Sequence, residues 1–391
     1  MPLLDVVAYP FVDVKIVPPP AAVAQRSPGV VAVVGITADD AAGGTAPLAA
    51  PRIVTSAAEA ATLFASTNGA GEVQATPLYS SLVLALQQDP PPAKLYGVRA
   101  AAGGYEAALR SLEAVDDVTF VSLAAETGID ALLMLKAHVE NSSAAGSPRL
   151  GVAMADPARG LSQTWAQETI GALAAAGKDL RSATSRMIMV AGRSAAGSVP
   201  DFATAVMAAI AGYPPQVSPV LKQIRGIGFA KELQFSPTEI KTLAAEGIIP
   251  IIDPELIPGD GLFMADGGLF TSDAKRPFVD IVRVLDDIQF RLRAGLIGSI
   301  GDARITKPGL TLLKMTAEGI VANLRRQNVI DDYSVTIPLL DRLSIPEATR
   351  TAADAQDITQ ARATRAVDML VTVIYGPQIH HLGVTLRMTF A

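Results

Sequence analysis

The segment best suited to phosphate chemistry is SPGVVAVVGITADDAAGG, Ser27 to Gly44. An apolar run, Val30–Val34, predicts a buried strand, and the glycines after it could let the backbone close around a pyrophosphate. However, G-x-G-x-x-G is absent here, and the loop continues into APLAAP, which cannot form the helix N-terminus that holds a phosphate. G-x-x-x-x-G-K-[ST] is absent from the whole chain. The sequence therefore predicts a core strand, a surface loop beginning at Gly35, and no cofactor.

Histidines and acids offer few further sites. His138 lies near a predicted helix end with Glu140 but lacks H-E-x-x-H spacing, so we expect a solvated helix end. His380 and His381 are neighbours in an extended linker, and their side chains would point to opposite sides, so no metal is expected. Asp156 follows a predicted strand and could be catalytic in an α/β enzyme, but an acid before proline is more typical of a turn. Since G-x-S-x-G is also absent, the chain is not expected to be an enzyme.

The composition excludes several classes of protein. Half of the 391 residues are apolar, 18% are charged and the net charge is -6, which argues against a nonspecific nucleic-acid binder. The chain has no cysteine, so disulfides and thiol chemistry are excluded. The first fifteen residues do not read as a signal peptide, and no apolar run approaches the ~18–20 residues of a membrane helix, so no membrane insertion is expected.

The elements that would position any site alternate between strands and helices over residues 21–260. Strand patterns such as AKLYGVRA, VTFVSLAA, RLGVAMAD and SRMIMVAG are separated by helical patterns such as PLYSSLVLALQQ and GIDALLMLKAHVE. This alternation predicts an α/β central domain with a mixed, largely parallel sheet, ending near residues 246–253.

The pattern changes over residues 261–375, which we expect to form an α+β C-terminal domain. One amphipathic helix, FVDIVRVLDDIQFRLRAGL, is followed by a second that starts after Pro308 and runs to about Arg326. Their predicted apolar stripes are Ile281, Val284, Leu285, Ile288 and Leu292 on the first helix and Leu313, Ala317, Ile320 and Leu324 on the second. DDYSVTIPLL, AVDMLVTVIY and LGVTLRMTF are predicted strands.

Both ends of the chain read as amphipathic strands on spacers. In FVDVKIV the apolar face is Val12, Val14 and Ile16, and PPP follows as a stiff spacer. In the last strand the apolar face is Val384, Leu386, Met388 and Phe390, after the linker GPQIHH. An unpaired strand is a template for another chain, so these ends either exchange between subunits or pair within one subunit. The residues alone leave both possibilities open.

The order of motifs over most of the chain resembles the contractile tail sheath proteins of phages and phage-tail-like bacteriocins. The resemblance is strongest in FVDVKIVPPPAAVAQRSPGVVAVVGITADD, PRIVTSAAEAATLFAS, GLFMADGGLFTSDAKRPFVDIVRVLDDIQFRLRAGL and LLKMTAEGIVANLRRQNVIDDYSV, with a weaker match in PQVSPVLKQIRGIGF. The chain departs from the family at GGLFTSD, where the family often has G-x-R-T, and at Gln216 and Val217, where it often has Trp.

This resemblance implies a structural subunit that polymerises as stacked hexameric rings around an inner tail tube and contracts to drive the tube through a cell envelope. Residues 1–20 and 376–391 would be strand-exchange arms that complete a sheet on neighbouring subunits; residues 21–260 would lie outside and residues 261–375 would face the tube. The further partners would be baseplate and tail terminator proteins. The particle would be a virion tail or a tail-like particle, assembled in the cytoplasm of a bacterial host.

Two basic side chains are candidates for an ionic contact with the inner tube. Lys314 and Arg325 are eleven residues apart on the second helix, which places them about 20° apart around its axis. Acidic groups on the tube would be their partners, although Glu318 dilutes the charge and a merely solvated face fits equally well. The alternatives for the whole chain are an α/β enzyme with acids such as Asp156 at strand ends, and a non-contractile shell protein.

Overall fold

The computed structural model describes residues 27, 29–37, 44–68, 72–102, 104–195, 198–228, 230–258, 261–380 and 382. The proposed exchange residues of both arms lie outside this range: Val12, Val14, Ile16, Val384, Leu386, Met388 and Phe390. The described residues form two compact units. The larger contains those up to Phe290, Val329–Asp332 and those from Ile374 onward, and the smaller contains Arg291–Asn328 and Tyr333–Val373. None of the helices in the described ranges is long and apolar enough to span a membrane.

The larger unit is built on one mixed sheet of nine described strands. The strands of the described chain are β1 Val30–Ile36, β2 Arg52–Ile53, β3 Ser66–Thr67, β4 Val73–Gln74, β5 Lys94–Ala100, β6 Phe120–Leu123, β7 Leu150–Met154, β8 Met187–Ala191, β9 Gln223–Ile224, β10 Ile248–Ile252, β11 Leu262–Met264, β12 Asp332–Thr336 and β13 Leu370–Ile374. The order across the large sheet is β2-β5-β1-β6-β7-β8-β10-β11-β9. The six strands from β5 to β10 are parallel, and β2, β11 and β9 join antiparallel to their neighbours.

Helices cover both faces of this sheet, which is why its central strands are apolar without alternation. The helices of the described chain are α1 Ala57–Phe64, α2 Pro77–Leu86, α3 Glu106–Ser111, α4 Ile129–Ala144, α5 Trp165–Leu173, α6 Phe202–Gly212, α7 Pro237–Ala245, α8 Val279–Leu296, α9 Lys307–Arg326, α10 Pro338–Ser344 and α11 Ala352–Thr364. Helices α1, α2 and α6 pack in the core that contains Val31 and Val33, and α3, α4, α5 and α7 in the core that contains Val30, Ala32 and Val34.

The predicted largely parallel α/β sheet is confirmed, and it takes in more chain than the sequence suggested. Strand β11 lies beyond the predicted end at residues 246–253 and pairs with β10 through Ile251 and Met264. Helix α6 was missed because it is apolar on every side; each residue from Phe202 to Ala211 is buried, so it has no amphipathic stripe to detect.

Helix α8 departs from its predicted apolar stripe. Val284 and Ile288 are buried, but Leu285 is exposed, and the charged residues Asp280 and Arg283 are buried instead. The Arg283 guanidinium donates to the carbonyl of Tyr213 at 2.7 Å, next to the end of α6, and burial lowers its pKa to about 10. A buried cation that satisfies backbone carbonyls is invisible to a periodicity count, because the pattern treats every charge as exposed.

The smaller unit contains α9, α10, α11 and most of the two-stranded sheet β12–β13. Its core includes Leu310, Ile337, Leu340, Leu343 and Ile358. The predicted strand DDYSVTIPLL is wrong in its last four residues, IPLL. The strand ends at Thr336, and Pro338 begins α10, because a proline at the first helical turn needs no N–H partner.

Candidate functional site

The sheet edge where an α/β enzyme would bind its ligand is filled by the chain itself. The strand order reverses between β1 and β6, so their carboxyl ends define the usual ligand crevice. Gly35 is buried inside β1, which runs on to Ile36, so the predicted loop start at Gly35 is wrong. A Cβ at Gly35 would lie 2.8 Å from the Cβ atoms of both Leu78 and Ala124. The predicted core strand Val30–Val34 is confirmed, since all five residues are buried.

Asp201 closes the same edge. Its Oδ2 accepts hydrogen bonds from the Ser81 hydroxyl at 2.6 Å and the Ala125 amide at 3.0 Å, and its Oδ1 accepts from the Thr204 amide at 2.9 Å. The carboxylate therefore caps α6 and ties this helix to α2 and to the loop after β6. Because its hydrogen bonds hold three parts of the fold together, Asp201 has a structural role.

Two other predicted chemical residues also have structural surroundings. Asp156 accepts the Ala158 amide at 3.0 Å, which is the turn that its position before a proline favours. The predicted solvated helix end at His138 is wrong. His138 is buried beside Arg149, and Arg149 Nη1 lies 3.1 Å from His138 Nε2. The described residues contain no group of three or more His, Cys, Asp or Glu placed to hold a metal ion.

The buried His138 predicts a specific acid sensitivity. Burial, then the nearby Arg149 charge, lowers the pKa of His138 to about 4, against about 6.5 in the unfolded chain. Between these values the unfolded state binds more protons, so stability is complete above pH 6.5 and falls by about 3 kcal/mol as the pH drops to 4. We expect His138→Gln to remove this part of the slope. Urea unfolding at several pH values, followed by fluorescence of the single, buried Trp165, measures it. Equal slopes in both proteins would contradict the assignment.

The two-stranded sheet has an exposed apolar face. On β13, Leu370 and Ile374 are 62% and 56% exposed, with Thr372 exposed between them. On β12, Val335 is buried while Ser334 and Thr336 are exposed. Among the described residues this sheet has only these two strands, and a sheet of two strands is marginal in water and is completed by pairing with a further strand. This face therefore has the chemistry of a strand acceptor.

Helix α9 presents a second exposed apolar surface. Ala317, Ile320 and Leu324 are buried, as predicted, and a Cβ at Gly295 would lie 2.4 Å from Ile320 Cδ1, so the last turn of α8 packs closely on α9. On the other side, Leu312 and Met315 are 67% and 62% exposed.

Basic residues flank this exposed strip of α9. Lys314 lies beside it with its Nζ 3.7 Å from Glu318 Oε1, and Arg325 and Arg326 are exposed in the last turn. The structure thus places Lys314 and Arg325 on one side of an apolar strip. The sequence analysis did not identify this strip; the spacing of Leu312 and Met315, three residues apart, indicates only that they share one side of the helix.

Comparison with solved structures identifies the architecture. The chain superposes over 98% of its length on a subunit of the baseplate of the anti-feeding prophage (AFP), with a TM-score of 0.66, 13% identity and all of that chain covered. The AFP helical sheath in its contracted state matches with a TM-score of 0.63, 14% identity and coverage of 98% and 99% of the two chains. The chain has the fold of a contractile sheath protein.

The sheath of an extracellular contractile injection system, PVC, also in its contracted state, matches with a TM-score of 0.66, 14% identity and 98% coverage of both chains. No protein-family model and no curated protein sequence matches the chain. The resemblance predicted from the motifs is therefore confirmed as a shared fold, at a sequence identity of only 13–14%.

Proposed function

We propose that this protein is the sheath subunit of a contractile injection system or phage tail. It polymerises as stacked hexameric rings around an inner tube and contracts to drive the tube through a cell envelope. The match over almost the whole chain to two sheaths in the contracted state carries the proposal. The filled crevice at the carboxyl edge of the sheet agrees with a structural role, because Asp201 and the Leu78–Gly35 contact occupy the place of a ligand.

The exposed face of β12–β13 supports strand exchange as the link between subunits. The N- and C-terminal arms, with Val12, Val14, Ile16 and Val384, Leu386, Met388, Phe390 as their apolar faces, would add strands to this sheet on neighbouring subunits. Each added strand would satisfy edge backbone groups and place its apolar side chains beside Leu370 and Ile374 on the same face of the sheet. Contraction would then repack the globular parts between two arrangements of modest energy difference while the strand links persist.

The exposed face of α9 supports a role in holding the tube. Leu312 and Met315 would give a weak apolar contact, and Lys314 and Arg325 would meet acidic groups on the tube. An exposed ion pair contributes only about 0.2–1 kcal/mol and is screened by salt. Contacts of that size suit a surface that must hold in one state and release in the other.

Charge reversal tests this surface. We expect Lys314→Glu with Arg325→Glu to raise the concentration needed to assemble sheath on purified tubes by about tenfold at low salt, because four charge units change at the contact. The control, Arg110→Glu with Lys178→Glu, makes the same change of net charge at exposed ion pairs of the larger unit. Sheath that assembles on tubes equally well in both double variants would rule out an ionic grip by α9.

Electron microscopy of the assembled protein with its tube tests the function itself. A sheath predicts hollow, ridged cylinders in two helical geometries, one long and narrow and one short and wide, interconverted by a trigger such as mild denaturant. A single geometry under every condition would mean a non-contractile shell, and the contractile proposal would fail.

A further inference from the structure

The segment after β13 is bound to the larger unit by three side chains. Tyr375 Oη donates to Asp280 Oδ2 at 2.7 Å. Gln378 Oε1 accepts the Ser218 amide at 2.9 Å, and its Nε2 donates to the Gln216 carbonyl at 2.8 Å. The sequence reading had treated this segment, GPQIHH, as a plain tether.

His380 completes the attachment. Its Nε2 lies 2.9 Å from the Ser218 hydroxyl, and its ring stands edge-on to Phe278 with centroids 5.0 Å apart. We call the receiving surface, formed by Gln216, Ser218, Phe278 and Asp280, the tether dock. It joins the loop after α6 to the start of α8.

The dock has the features of a built contact. Gln378 uses both its donor and its acceptor on the backbone of one loop, which fixes position and direction. Asp280 is buried. The burial of Tyr375, then its hydrogen bond to Asp280 and the charge of Asp280, raise the pKa of Tyr375. The Tyr375 hydroxyl therefore stays a donor at any physiological pH. A Cβ at Gly267 would lie 3.1 Å from Ser218 Oγ and 3.5 Å from His380 Cε1, so a larger side chain there would crowd the contact between Ser218 and the ring.

We propose that the tether dock sets the point and direction from which the C-terminal arm leaves the subunit. The inference rests on the proposed function, because a fixed exit matters only if the arm reaches a neighbour. Release of the docked segment from Tyr375 to His380 would lengthen the arm by six residues. A shorter, directed arm has a higher effective concentration at the acceptor sheet and loses less conformational entropy when it pairs.

The test compares full-length variants assembled on purified inner tubes. Gln378→Ala with His380→Ala removes the tether side of the dock, and Gly267→Val crowds the opposite side without changing any residue of the tether. We expect each to raise the critical concentration for assembly about tenfold while the thermal midpoint of the free subunit stays unchanged. Gln360→Ala, at an exposed position of α11, is the control for loss of a glutamine.

Hydrogen exchange of the free wild-type subunit gives a second, assembly-independent measurement. The dock predicts slower exchange at the Ser218 amide than in the Gln378→Ala variant, because this amide donates to Gln378. Equal exchange, or dock variants that assemble like the wild type, would overturn the dock. A wild-type chain that forms no sheath on tubes would overturn the proposed function instead, and the exchange result would still decide the dock.

Discussion

We expect Leu370→Glu with Ile374→Glu to stop assembly of the protein into tubes while leaving the subunit folded. Both side chains are exposed in the subunit, so the two carboxylates would be solvated there and should change its stability by less than about 0.5 kcal/mol. In the assembly the same positions would lie beside the apolar side chains of an exchanged strand, where unpaired carboxylates are costly to bury. Sedimentation at several concentrations would show subunits for the variant and polymers for the wild type.

The matched control for this variant is Leu256→Glu. Leu256 is almost fully exposed in the loop that follows β10 and belongs to no described strand. The Leu256→Glu substitution introduces a glutamate at an exposed apolar position outside the proposed acceptor sheet β12–β13. If the double variant polymerised as readily as this control, β13 would not be the face that receives a neighbour's arm.

The second large effect is on stability, at Arg149. This fully buried arginine donates through Nη2 to the carbonyls of Leu112 and Val115 at 2.7 and 2.8 Å, and through Nη1 it faces His138. Arg149→Met keeps the length of the side chain but leaves both carbonyls without these donors. We expect a loss of about 3–5 kcal/mol in the free energy of unfolding of the larger unit, measured by urea titration.

Arg110→Met is the control for removing a guanidinium. Arg110 pairs with Glu106 on the exposed surface of α3, a contact expected to contribute no more than about 0.5 kcal/mol. A loss below about 1 kcal/mol at Arg149 would show that the site relaxes or hydrates, and that the hydrogen bonds to Leu112 and Val115 are replaceable.

The predictable part of this fold is the part governed by local pattern. Helix α9 began and ended within a residue or two of its predicted positions, since a proline in the first turn marks its start. Helix α6 was not predicted, because a helix buried on all sides carries no periodic signal. Its burial depends on contacts with α2 and with strands far away in sequence.

The candidate surfaces were predictable only in outline. Lys314 and Arg325 followed from helical spacing, whereas the exposed Leu312 and Met315 depend on which side of α9 packs against α8 and α10, a tertiary fact. His138 was misjudged for the same reason. Its partner Arg149 lies eleven residues away, beyond α4, and no local rule predicts that a histidine and an arginine will be buried together as a neutral ring and a cation.

Negative-stain electron microscopy of the full-length chain and of a chain lacking residues 1–17 tests the central claim most directly. Strand exchange predicts hollow, ridged tubes from the full-length protein and only small particles from the deletion, with the same thermal midpoint for the free subunits. Small uniform particles from both proteins under every salt condition, or tubes from both, would contradict assembly through exchanged arms.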